Sequence, residues 1–149
     1  MKVNLQGLSG QDQKSYDNLQ DLADTPKVLL YFYPKDNTPG CSNQATELNA
    51  SLAEFAQKGI TVVGCSPDSI ASHQKFIDKY ELGFTLLSDP EKQLIQAMGA
   101  WGEKKNYGKT YIGLIRSSFL IDTQSGKVLQ EWRNVRAKGH AAKLLKEIN

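Results

Sequence analysis

Cysteine is scarce in this chain: Cys41 and Cys65 are the two thiols among 149 residues, too few to staple a fold. A disulfide scaffold is thereby excluded, and each thiol is left to be catalytic, metal-binding or simply buried. Histidine is as sparse, with His73 and His140 alone, and no zinc-type ligand spacing occurs, so no metal is expected. Long apolar runs are missing. Stretches such as Val28 to Phe32 fall far short of the roughly 20 residues a membrane span requires. The opening "MKVNLQGLSGQDQK" lacks the apolar core of a signal peptide, so a cytoplasmic protein without membrane contact is expected. Neither sign of charge dominates, with 18 basic and 16 acidic residues and a net charge of +2. Without a basic stripe, nucleic acid is not an expected partner.

What is present suits one domain spanning residues 1–149. An apolar share of 40% and a charged share of 23% are ordinary for a globular chain. A chain of this length buries about two-thirds of its unfolded surface.

"KVLLYFY" (27–33) is a continuous apolar run between Pro26 and Pro34 and predicts a central strand covered on both faces. From Ala45, the apolar residues Leu48, Leu52 and Phe55 fall at helical spacing, with "KG" at Lys58 and Gly59 closing the helix. "ITVVGC" (60–65) predicts a second buried strand, followed by a helix carrying Ile70, Phe76, Ile77 and Tyr80. A short strand at 84–87 precedes a helix from Glu91 to Met98, with Ser88 or Asp89 as N-cap and Pro90 in its first position. "SSFLID" and "KVLQEWR" predict an antiparallel hairpin, and a helix from about Gly139 ends the chain,. The β-α-β-α alternation makes the fold class α/β with a parallel core. Residues 3–25 read as a small hairpin and one helical turn, and 100–113 as a long irregular piece, polar yet aromatic, of the kind that serves as a binding loop or a lid.

The turn "YPKDNTPGCSNQ" (33–44) leaves the carboxyl end of the predicted central strand, where open parallel sheets hold their ligands. It delivers Cys41 to the start of a helix, whose unpaired N–H groups and partial positive charge favour an anionic sulfur. Thr38, one turn earlier, can accept from a substrate O–H and donate to the sulfur. Pro34 and Pro39 fix φ and shield the site. Arg116, opening the apolar "RSSFLID", is a candidate cation for the same pocket. Each residue has a plainer reading: an incidental helix-start thiol, ordinary turn residues, a solvated edge-strand charge.

The run "FYPKDNTPGCSNQA" resembles the active-site segment of peroxiredoxins, in particular the bacterioferritin comigratory protein or peroxiredoxin Q subgroup. "VVGCSPDSIASHQKFIDKY", "FTLLSDPEK", "WGEKKNYGKTYIGLIRSSFLID" and "NVRAKGHA" are similar to that subgroup in order and spacing. The resemblance implies a thioredoxin-like fold, a central mixed sheet flanked by helices. It implies thiol peroxidase activity on hydrogen peroxide and alkyl hydroperoxides, with Cys41 as the attacking thiol and Pro34, Thr38 and Arg116 around it. Gln44 matches a supporting glutamine or glutamate. No cofactor is implied, the reductant is thioredoxin, glutaredoxin or a small thiol, and the subgroup is commonly monomeric. Trp101 and Tyr33 are candidate apolar neighbours of the peroxide, core packing being the commoner role for both.

Two departures from the subgroup stand out. Many members carry a resolving cysteine five residues after the first, where this chain has Thr46, and others carry it on the helix after the next strand, where 70–80 has none. Cys65 reads as a buried structural thiol, with a resolving role as the alternative. A one-cysteine enzyme recycled by an outside thiol is therefore expected. The competing reading is a redox sensor that signals through mixed disulfides of Cys41.

Overall fold

The computed structural model describes residues 2–106 and 108–148. Nine strands and five helices occur among these residues: β1 (Lys2–Ser9), β2 (Asp12–Asn18), β3 (Lys27–Phe32), α1 (Pro39–Ala50), α2 (Leu52–Gln57), β4 (Ile60–Ser66), α3 (Ile70–Tyr80), β5 (Thr85–Ser88), α4 (Gln93–Ala97), β6 (Trp101–Asn106), β7 (Lys109–Leu114), β8 (Ser117–Asp122), β9 (Val128–Trp132) and α5 (His140–Glu147). A 3-10 turn at Leu19–Leu22 follows β2, as predicted for the amino-terminal region.

Seven strands form one mixed sheet in the order β2-β1-β5-β4-β3-β8-β9. The pairs β3–β4 and β4–β5 are parallel, while β3–β8, β8–β9, β1–β5 and β1–β2 are antiparallel. The strand predicted as central, β3, lies inside the sheet between β4 and β8. Its unbroken apolar run follows from burial on both sides: Leu29 and Tyr31, with Tyr33 just beyond, face one core, and Val28, Leu30 and Phe32 face the other, since successive strand side chains alternate. The first core is closed by Ala45 and Leu48 of α1, Phe55 of α2, Phe76 and Ile77 of α3, and Ala141 and Leu144 of α5. The second is closed by Leu19, Leu22, Leu94, Ile95 and Leu114.

Three predicted elements differ in detail. The helix read as continuous to Lys58 breaks at Ser51, where φ is −104° and ψ 6°; Ser51 N–H bonds to Leu48 O at 3.0 Å, a tightened turn that satisfies one helix end. The helix placed at 91–98 starts later, because Lys92 sits in the left-handed region at φ 60° and Pro90 belongs to the preceding turn. Asp89 still caps it, its carboxylate accepting from Gln93 N and Ile95 N at 2.9 Å each. The segment read as an irregular loop, 100–113, is instead the hairpin β6–β7, paired from Trp101↔Leu114 to Asn106↔Lys109. Most of β7 is exposed, so no apolar alternation marks it in the sequence and backbone pairing carries it. Tyr107, within that stretch, lies outside the described residues. Among the described residues no helix is long and apolar enough to cross a membrane.

Candidate active site

The site forms where the chain leaves β3 and enters α1. Thr38 is the N-cap of α1 with extended backbone, φ −89° and ψ 153°, and Pro39 occupies the first helical position, where its missing N–H leaves no bond unmade. Cys41 is the third helical residue, so its sulfur sits in the first turn, among the amides that have no partner within the helix. Cys41 is only 1% exposed. Arg116, immediately before β8, brings its guanidinium across to this turn: Nη2 donates to Cys41 Sγ at 3.2 Å and Nη1 donates to Gln44 Oε1. Cys41 and Gln44 are three apart on α1 and share a face, which lets one planar fork hold both. The Arg116 backbone is pinned as well, its carbonyl accepting from Val135 N at 2.9 Å.

Gln44 is fully buried, and its amide nitrogen has no partner among the described residues. So is the phenol of Tyr31, which reaches none either. Burial pushes the Tyr31 hydroxyl well above its ordinary range, and the neighbouring Cys41 and Asp36 charges add to this while Arg116 opposes it; it stays a neutral O–H donor. The Cys41 sulfur is thus set beside a guanidinium and buried N–H and O–H donors, an arrangement suited to stabilising oxygen that gains negative charge.

The AhpC/TSA family model matches residues 3–130. The chain is 48% identical over 122 residues to a putative peroxiredoxin bcp of Helicobacter pylori, covering 82% of this chain and 80% of the relative. It is 46% identical over 121 residues to peroxiredoxin Bcp of Bacillus subtilis, covering 81% and 76%. The chain is a peroxiredoxin of the AhpC/TSA family. Among solved structures, the peroxiredoxin fold is similar to the bacterioferritin comigratory protein of Xanthomonas campestris, studied for alkyl peroxide reduction, at 38% identity and a TM-score of 0.82 over 97% of this chain and 88% of that one. The AhpC of Enterococcus faecalis, at 18% identity and a TM-score of 0.79, covering 99% of this chain and 86% of that one, shares the fold. As a peroxiredoxin the protein is a thiol peroxidase, an enzyme that consumes a peroxide and a thiol reductant.

Within this peroxiredoxin the predicted site residues Cys41, Arg116 and Gln44 come together, and Thr38 and half-buried Pro34 line the same turn. One predicted contact differs: the Thr38 hydroxyl donates to Lys35 O at 3.0 Å and not to the sulfur, because the turn folds its side chain back onto its own carbonyl. Its oxygen keeps lone pairs for a substrate O–H. Pro39 is exposed and shields little. Tyr33 is buried on the Cys41 side, while Trp101 packs against the core of the opposite face.

Cys65 pairs in register with Phe32 and packs in the opposite core, beside Leu30, Phe32 and Leu87. The sheet separates it from Cys41, and burial pushes its thiol well above its ordinary range. Two residues escaped the sequence reading. Asp36 is given no role there and His73 is noted only as one of two histidines without zinc-type spacing, yet the two form a buried hydrogen-bonded pair under the turn, His73 Nδ1 lying 2.6 Å from Asp36 Oδ2. The signal available was an aspartate and a histidine in two segments that both belong to the family-like runs; only their contact gives them meaning.

Proposed function

We propose that Cys41 is the peroxide-attacking residue of a one-cysteine thiol peroxidase acting on hydrogen peroxide and alkyl hydroperoxides. The observation that carries this reading is the 3.2 Å contact from Arg116 Nη2 to Cys41 Sγ in the first turn of α1. In the proposed step the sulfur anion attacks the terminal peroxide oxygen, an S–O bond forms, the O–O bond breaks, and the departing oxygen takes a proton to leave as water or alcohol. Thr38 accepts from the hydroperoxide O–H, Arg116 holds the oxygen that becomes negative, and Gln44 orients Arg116. Pro34 fixes the start of the turn.

The sulfenic acid then needs an outside thiol. One thiol displaces water to give a mixed disulfide, and a second releases Cys41 as thiol. The position of Cys65 behind the sheet supports this route over an internal disulfide, and Thr46 holds no sulfur. Thioredoxin, glutaredoxin or a small thiol fills the reductant role, and the working unit is a monomer forming one domain.

Cys41→Ser is expected to abolish peroxide consumption, and retained turnover would defeat the assignment. Fast oxidation by peroxide combined with no recycling by any of the three reductant classes would move the reading to a redox sensor.

A further inference from the structure

Between Tyr33 and Cys41 the chain has one buried residue, Asp36; Lys35, Asn37 and Pro39 are exposed, and Pro34, Thr38 and Gly40 half-buried. Asp36 is held at every polar atom of its side chain. Oδ1 accepts from Tyr33 Oη at 2.6 Å, and Oδ2 accepts from Ser72 Oγ at 2.8 Å and faces His73 Nδ1 at 2.6 Å. Its backbone N–H donates to Asp68 Oδ2 at 2.8 Å, an oxygen that also accepts from Ser66 Oγ at 2.8 Å. His73 Nε2 meets Leu87 O at 2.9 Å. Both ring nitrogens therefore face oxygens.

We infer that Asp36 and His73 are positioning residues for the peroxide reaction: the buried pair clamps the turn that carries Thr38 and Cys41 onto β4, β5 and α3, and so sets the sulfur and Thr38 against Arg116. The inference rests on the reading of Cys41 as the attacking thiol. Its physical basis is that a buried hydrogen-bond network with every member satisfied rigidifies the segments it joins and specifies one geometry. Here the geometry fixed is that of a turn whose other members have little buried surface to anchor them. Asn37, directly after Asp36, is in the left-handed region at φ 60°, so a turn released at Asp36 has a strained residue to relax before the N-cap.

The test compares wild type, Asp36→Asn and the control Phe55→Leu, which loosens the same core away from the network, with thermal unfolding recorded for each. Two rates are read at Cys41 by intact mass: oxidation by hydrogen peroxide, which needs the oriented pocket, and alkylation by iodoacetamide, which needs only a reactive thiol. Positioning gives Asp36→Asn a peroxide rate at least tenfold lower, an alkylation rate changed less than threefold, and a control that stays within twofold in both. A peroxide rate within twofold of wild type, or equal losses in both rates, overturns the inference. Should Asp36→Asn not fold, Ser72→Ala, which removes one donor to Asp36, carries the test: a peroxide rate three- to tenfold lower supports the inference and an unchanged one overturns it. A wild type that reacts slowly with peroxide defeats the assignment of Cys41 itself and this inference with it, whereas fast wild type and fast Asp36→Asn together defeat the positioning role alone.

Discussion

Arg116 donates to the sulfur of Cys41 from 75 residues away in the chain, and the same guanidinium holds Gln44, one turn further along α1. One cation thus serves the sulfur and an amide through separate nitrogens, which a lysine cannot reproduce: a single ammonium on a flexible stem has no fork to span two side chains.

Arg116→Lys is expected to slow peroxide consumption by about 10²- to 10³-fold, the usual loss when a donor to a developing oxyanion is removed. Stopped-flow oxidation of the reduced enzyme measures it. A lysine variant within threefold of wild type would show that charge alone suffices and the two-point hold is incidental.

Cys65→Ala should leave turnover with an external thiol intact, since the sheet stands between Cys65 and Cys41. Stability should fall by about 1 kcal/mol from the small cavity left behind. Mass measurement of wild type after one equivalent of peroxide should show one added oxygen and no internal disulfide. Loss of two hydrogens, abolished in Cys65→Ala, would assign a resolving role to Cys65.

Gly64→Ala probes the packing beneath the site. A Cβ there would lie 2.8 Å from Leu86 Cδ2 and 2.9 Å from the Tyr31 ring, closer than carbon atoms tolerate. Overpacking of this kind costs about 1–3 kcal/mol, a fall in Tm of roughly 3–10 °C. Calorimetry showing no fall would mean that Tyr31 shifts freely, against its stacking on Tyr33 at 5.4 Å between centroids.

His140 sets an acid limit on stability. Its Nε2 pairs with Ser118 Oγ at 2.7 Å, while Nδ1 is buried and has no partner among the described residues. Burial, then the charges of Lys143 and Arg116, push its pKa down from 6.5 to about 4. The unfolded chain therefore takes up this proton first, so stability is full above about pH 6.5 and declines as the pH falls toward 4. The total is on the order of 3 kcal/mol. Urea unfolding at pH 7 and pH 4.5 should show a larger loss for wild type than for His140→Gln. Equal losses would count against the buried neutral ring.

The sequence by itself determined the elements whose signals are local. The apolar run of β3, the helical spacing of α1, α3 and α5, and the prolines and glycine that deliver Cys41 to a helix start all follow from periodicity and backbone stereochemistry within a dozen residues. The break at Ser51 and the late start of α4 at Gln93 were not legible, because each depends on a single backbone torsion that its residue type permits without demanding. The β6–β7 hairpin was not legible either, since strands exposed to water need no apolar alternation.

Only the tertiary structure decided which side of the sheet Cys65 occupies, that Arg116 turns inward to Cys41 and Gln44, and that Asp36 meets His73. The physical reason is common to all three. Strand register settles the face on which a side chain emerges, and a charge is drawn into the interior only where a partner from a distant segment is already waiting; neither is written into the spacing of neighbours along one chain.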